Sequence, residues 1–282
     1  MENFGRKIEL LIADAGGHAL DLSGFRVVFK VTKTAAEQPN QAQITIYNLS
    51  DETSRRIISG TLTRIVLSAG YEENCAIIFD GNIISATHVR DGADFVTTID
   101  AGDGDQAYNF ATVSQTLAAG ATKLDVAQAA AASMAEKNAH MAADTSAIDS
   151  ETRYPRGRVL FCSSRDAARE AAKASDCQWS IQDGQIVYCK TTKALPDRTA
   201  FVLNTGSGMI GSPVIDKDGV QAVCCLNPRL RIYDPLQIES RYVKGTYKIL
   251  SVEHTGDTHT NTWDTTVKAS VIDQSVQETV KL

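Results

Sequence analysis

Apolar and polar residues alternate most cleanly in the run Gln41–Ser50, QAQITIYNLS. Ala42, Ile44 and Ile46 fall on one side and Gln43, Thr45 and Tyr47 on the other, which predicts a strand with one dry face. Asn48-Leu49-Ser50 stops that strand, and Ser50 is placed to cap a short helix over DETSRRIIS. Asp51 and Glu52 fall in the first turn, where the helix dipole favours negative charge, and Gly60 closes the helix.

The same alternation recurs on both sides of this unit. Arg6–Ala13 reads as a first strand, with its turn at Asp14-Ala15-Gly16-Gly17. In Phe25–Thr32 the residues Phe25, Val27, Phe29 and Val31 share a face. Arg64–Ser68 is a short strand ending at Gly70. Ala76–His88 is a long one with Gly81 in its interior, where glycine marks a bulge or a bend. Asp91-Gly92 is a turn, and Phe95–Asp100 is the returning strand.

After Gly102 the period changes. Leu117–Ala143 is alanine-rich, and Thr122-Lys-Leu-Asp125 forms a capping box in front of DVAQAAAASM. Ser163–Ser175 predicts a second helix, again with an acid, Asp166, three residues after its cap. Ala142–Arg158 is polar and carries Pro155 and Gly157, the pattern of an exposed loop. Gln178–Ile181 and Gln185–Tyr188 flank Asp183-Gly184 and predict a hairpin. From Thr199 the pattern is β again. A turn falls at Asp216–Gly219, a short strand covers Leu236–Ser240, and Gly245–His254 and Thr262–Val271 make a ribbon around Thr255-Gly-Asp-Thr. The expected fold class is mainly β with an α+β insert: one β region split over 1–102 and 196–282, its parts rejoined in space, and an insert at 103–195.

Composition narrows what such a chain does. It has 282 residues, a formal charge of -6 and 43% hydrophobic residues, the profile of a globular protein with room for two domains. No run reaches the roughly 20 apolar residues of a membrane helix. The opening MENFGRKIELL lacks the charged-then-apolar layout of an export signal. The acidic balance argues against bulk nucleic-acid binding. The six cysteines include no CxxC pair, and the adjacent Cys224 and Cys225 point to opposite faces of a strand, so buried free thiols are expected.

Chemistry is sparse. His254, Asp257 and His259 sit close in sequence with metal-ligand chemistry, but a fourth ligand is missing and a Gly-Asp turn holds polar residues anyway. Asp100, Asp103 and Asp105 have the flavour of a calcium loop without the spacing or the closing glutamate. The alternative is a strand-to-helix turn with Asp103 or Asp105 as the cap. Gly206-Ser-Gly208-Met-Ile-Gly211 spells a dinucleotide fingerprint, yet strand-like sequence follows where a helix must open, so a flexible turn is expected. Ser207 has no base beside it. Arg229 and Arg231 read as solvated edge charges, with partner-facing ion pairs as the alternative. Trp179 is expected over the core of the insert and Trp263 in the core of the β region, with a subunit interface as the other reading for Trp263. No catalytic, cofactor-binding or metal residue is assigned, and no cofactor is expected.

One further pattern spans nearly the whole chain. FKVTKTAAEQPNQAQITIYNLS resembles the tail-tip and baseplate hub proteins of tailed bacteriophages: a basic strand, a polar gap with Pro-Asn, then A-x-I-x-I-x-N-L-S and a capped helix. Further pieces fall in the family's order: Leu67–Tyr71, Ile78–Ile83, Thr98–Gly104, Thr122 with Asp125-Val126, Arg158–Phe161 before Ser164–Ala167, Leu226-Asn-Pro228, Gly245 with Tyr247, His254–Asp257 and Trp263. The resemblance implies split, barrel-like tube domains related to the upper part of contractile-injection and type VI secretion spikes. It implies a structural ring, a trimer that adapts a sixfold tail tube to a threefold central spike. The implied partners are further copies of the chain, the tail tube or distal tail protein, the central spike or tail-tip protein and the tape measure protein. Sequence-specific nucleic acid and stable membrane insertion are excluded, and the expected location is the virion after assembly in the host cytoplasm. An acidic ring would let DNA pass without sticking. The competing functions are a tail-associated cell-wall-degrading enzyme, which needs paired carboxylates or a metal in a cleft, and a carbohydrate-binding β module, which needs exposed aromatics.

Overall fold

The structure, a computed structural model, describes residues 5–14, 16–137, 141–196, 198–217 and 219–272. The first third is β1 (Arg6–Asp14), β2 (Ala19–Asp21), β3 (Val27–Thr34), β4 (Gln41–Tyr47), α1 (Asp51–Ile58), β5 (Leu62–Tyr71), β6 (Asn74–Asp91) and β7 (Asp94–Gly102). The middle is α2 (Asp105–Phe110), β8 (Thr112–Leu117), α3 (Lys123–Lys137), β9 (Ala142–Asp144), β10 (Arg158–Ser163), α4 (Ser164–Ala174), β11 (Cys177–Gln182) and β12 (Gln185–Lys190). The last third is β13 (Phe201–Leu203), β14 (Met209–Asp216), β15 (Gly219–Cys225), β16 (Pro235–Glu239), β17 (Lys244–Asp257) and β18 (Trp263–Val271).

The fold is mainly β. Strands from the first and last thirds form one sheet with the path β14-β15-β18-β17-β3-β4-β7-β6-β5-β1-β2. The join is β3 against β17, antiparallel from Thr34 opposite Ser251 to Val28 opposite Asp257. Residues more than two hundred apart in sequence thus become neighbours. The run Gln41–Tyr47 lies inside this sheet between β3 and β7, with Ala42, Ile44 and Ile46 buried. Ser50 caps α1 by accepting the Thr53 N–H, and Gly60 follows with a φ of 73°.

Two long strands change neighbours along their length. β6 pairs with β5 over Asn74–Asn82 and with β7 over Asn82–Asp91. Gly81 sits just before that change. A Cβ there would lie 2.6 Å from the Gly102 carbonyl oxygen and would also meet the Phe79 ring, so the position demands glycine for close approach. β17 pairs with β16 up to Lys248 and with β3 from Ser251, with an irregular register after Ile249. Strands that switch partners in this way turn a sheet around corners.

Three cores result. The first lies under β1 and β3–β7 and takes in Ile57 of α1, Leu226 and Trp263. The third lies under the last strands, with Leu236, Ile249 and Val267. Cys224 belongs to the third core and Cys225 packs against the first, so the two neighbours do face opposite ways. The second core is made by the middle segment, where alanines of α3 and α4 allow close helix packing around Trp179 and Tyr188. β12 alternates between cores: Ile186 and Tyr188 face the second, while Val187 and Cys189 face the third.

Local details depart from the sequence expectation where long-range pairing decides. Phe25 is half-exposed outside β3, which starts at Val27. The ribbon of β17 and β18 turns at 258–262, because Thr255–Asp257 are still paired in β17. The stretch expected as a loop at Ala142–Arg158 begins in β9, which pairs with β12, and ends in β10, which pairs with β8. Both helix caps of the middle segment form: Asp125 accepts the Thr122 N–H at 2.6 Å, and Ser163 accepts the Asp166 N–H at 3.3 Å.

Candidate functional site

The fold separates the residues with metal chemistry. His254 is fully buried on β17, with its Nδ1 2.8 Å from the Thr265 hydroxyl. Burial first, and the nearby Lys33 ammonium second, push its imidazole down to about 3, so it stays neutral. For Asp257 burial acts to raise the pKa, but hydrogen bonds from Arg26 and from the His259 N–H outweigh it and hold the carboxyl below its ordinary value. The His259 ring meets the Thr258 hydroxyl at 3.0 Å. Among the described residues, no three His, Cys, Asp or Glu side chains are grouped as a metal site.

The acidic stretch is also dispersed. Asp100 accepts from Gln43 and Ser85 on the sheet surface. Neither Asp103 nor Asp105 caps α2: its N-cap is Gly104, with a φ of 73° and no side-chain cap. Asp103 turns inward to accept the Gly184 N–H at 2.9 Å, and Asp105 accepts from Asn109. The turn expectation holds for the glycine run. Asn204 and Ser207 close a single 3-10 turn by exchanging side-chain hydrogen bonds, and β14 starts at Met209 where a dinucleotide site needs a helix.

Arg229 and Arg231 lie in the loop after β15 and not on a sheet edge, so the edge-charge reading is corrected. The Nε of Arg229 donates to Asn74 at 3.0 Å, which ties that loop to the β5–β6 turn. Of the free thiols, Cys177, Cys189 and Cys224 are buried and the other three half-buried. Burial pushes Cys189 up to about 11 and Cys224 up to about 12, the reverse of an activated nucleophile. Both tryptophans are core residues. The Trp263 Nε1 donates to the Gly70 carbonyl at 3.1 Å, and its ring meets Phe29 edge-on at 5.4 Å. A shallow cleft of about 270 Å³ over β3, β4 and β17 is lined by Lys30, Gln43, Thr45 and Thr255, with Asp257 committed to Arg26. It brings no base and nucleophile together.

The surface carries the more telling feature. Among the described residues β14 is paired on one side only, and none of its residues is buried. Ile210, Val214 and Ile215 are 49%, 64% and 58% exposed, and the adjacent pair Val214 and Ile215 shows apolar groups on both faces. Sequence periodicity could not single this strand out, since a strand's exposure depends on which neighbours it lacks.

A family model described as baseplate hub gp41 matches residues 11–269. The chain belongs to this baseplate hub family. The hub chain is also similar in fold to a tail protein from Neisseria meningitidis MC58, with a TM-score of 0.67 and 9% identity over 95% of this chain and 97% of that one. It is similar to the 43 kDa tail protein of prophage MuSo2 from Shewanella oneidensis, with a TM-score of 0.64 and 8% identity over the same shares, 95% and 97%. A third likeness is to an E. coli component of the type VI secretion system, itself described as similar to T4 bacteriophage tail proteins gp27 and gp5. There the TM-score is 0.58 and identity 7%, over 89% of this chain and 74% of that one. No curated protein matches the chain. The hub chain is a structural component of a bacteriophage tail, and the tail-tip resemblance drawn from QAQITIYNLS and the ordered pieces after it holds.

Proposed function

We propose that three copies of this hub chain close into a ring at the distal end of the tail and adapt a sixfold tube to a threefold central spike. The observation that carries the reading is the edge strand β14 of the long sheet, an apolar strand paired on one side among the described residues and unburied on both faces. An exposed apolar edge is a pairing surface, and a head-to-tail contact between copies closes into a ring when the rotation allows it. The two β cores joined through β3 and β17 supply two tube-like units per copy, so three copies present six. The likeness to a type VI secretion component described as similar to T4 tail proteins gp27 and gp5 supports a place at the tail tip. In this reading a spike-type partner lies below the ring and a tube or distal tail protein above it.

In this reading the protein is not an enzyme, assembles in the host cytoplasm, and contacts the tape measure protein during tail formation. Imaging of purified tails by cryo-electron microscopy tests it. One ring of three copies between tube and spike is expected. Six copies in one ring, or density for the chain only on the tail surface, overturns it.

A further inference from the structure

The long sheet and the middle segment meet at a polar joint. Asp103 stands where the chain leaves β7, and it is 2% exposed. Its N–H donates to the Asn40 carbonyl at 3.0 Å, and its Oδ1 accepts the Gly184 N–H at 2.9 Å from the tip of the β11–β12 hairpin. Asn40 Nδ2 donates to the Ile181 carbonyl at 2.9 Å and to Gln182 Oε1 at 2.9 Å. Asn40 Oδ1 accepts the Thr34 N–H at 3.0 Å, and Gln182 Nε2 donates to the Thr34 carbonyl at 2.7 Å. Lys33 completes the joint by an ion pair with Asp183. Every residue at the hairpin tip, 181 to 184, is therefore bound to the sheet's own segments.

One atom in the joint stands apart. Asp103 Oδ2 is buried without a hydrogen-bond partner among the described residues. An ionised carboxylate needs donors on both oxygens, and leaving one dry is costly. The charged groups facing it do not supply the donor. Asp183, from the hairpin, has the same sign. Lys33, from β3, has the opposite sign but is engaged by Asp183. His254, on β17 beside β3, is buried and neutral. Asp105, next on the chain, is engaged by Asn109.

We propose that Asp103 makes this joint proton-dependent: with a proton on Oδ2 the hairpin tip is locked to the sheet, and loss of that proton loosens it. The neutral acid removes the like-charge contact with Asp183 and no longer strands a charge without donors. In accord with this, burial first and the Asp183 charge second raise the carboxyl to about 6 from its ordinary 3.8, against the pull of the Gly184 N–H, Lys33 and the Asp183 N–H. The folded value lies above the unfolded one. The stabilisation is therefore complete below about 3.8 and is lost as pH rises through about 6.

Amide hydrogen exchange on the full chain, expressed as protection factors, tests the proposal at pH 5 and pH 7.5. Protection at Gly184 and Thr34 is expected to fall about tenfold between these two values in the wild type. Asp103→Asn keeps the acceptor for Gly184 and carries no charge, so its protection is expected to stay level and high. Asp234 is also raised to about 6 by burial, so Asp234→Asn serves as the control and is expected to leave the tenfold fall at the tip intact. Level protection in the wild type, or an unchanged fall in Asp103→Asn, overturns the proposal. Should Asp103→Asn fail to fold, a carbon-13 titration of the wild-type Asp103 carboxyl decides: a midpoint near 6 upholds the lock and one near 4 refutes it.

Discussion

Trp263 joins the two β halves through one side chain. It begins β18 in the last third, yet it packs into the core of the first third, against Phe29, and donates to Gly70 on β5. Gly256 makes room for it: a Cβ there would lie 2.4 Å from the Phe29 ring and 2.9 Å from Trp263. Trp263→Ala removes a large buried aromatic and orphans the Gly70 acceptor. It is expected to lower stability by about 3–5 kcal/mol, read from urea unfolding followed by circular dichroism. A loss below about 1 kcal/mol would place Trp263 outside the joint core. At this scale the sequence was most legible where chemistry is local. Ser50, Ser163 and the Thr122–Asp125 pair sit within three residues of what they bind, so their caps could be read directly. His254 and Asp103 could not be read, because Thr265 and Gly184 reach them only through the fold.

Among the elements, the strands with one dry face follow their alternation closely, β4 above all. The short pieces β8, β9 and α2 carry too few residues for a period to show, and they form because a partner strand or a helix face is already present. β14 makes the same point on the other side. Its Ile, Val and Ile look like ordinary strand residues, but the fold gives them no cover. Replacing Val214 and Ile215 together by lysine puts charge on that edge without touching a core. If β14 is the seam between copies, the double variant is expected to keep its circular dichroism spectrum and melting temperature while losing self-association in analytical ultracentrifugation. Unchanged self-association takes β14 out of the seam and removes the observation on which the ring reading rests. A wild type that never self-associates speaks against the ring itself.

For the whole molecule, the mainly β character was legible because strand-like alternation runs on both sides of the alanine-rich middle. The share of β12 in two cores was not, since a strand buried on both faces shows no alternation. The family resemblance rested on the order of many short pieces. The likeness to known tail proteins at 9% identity and below rests on the fold instead. A ring of this kind requires the hub chain to assemble with itself. Native mass measurement of the purified protein, alone and mixed with the tail tube and spike proteins, tests it most directly. A stable species at three times the 30.4 kDa chain mass is the predicted result. A strict monomer under both conditions would contradict it.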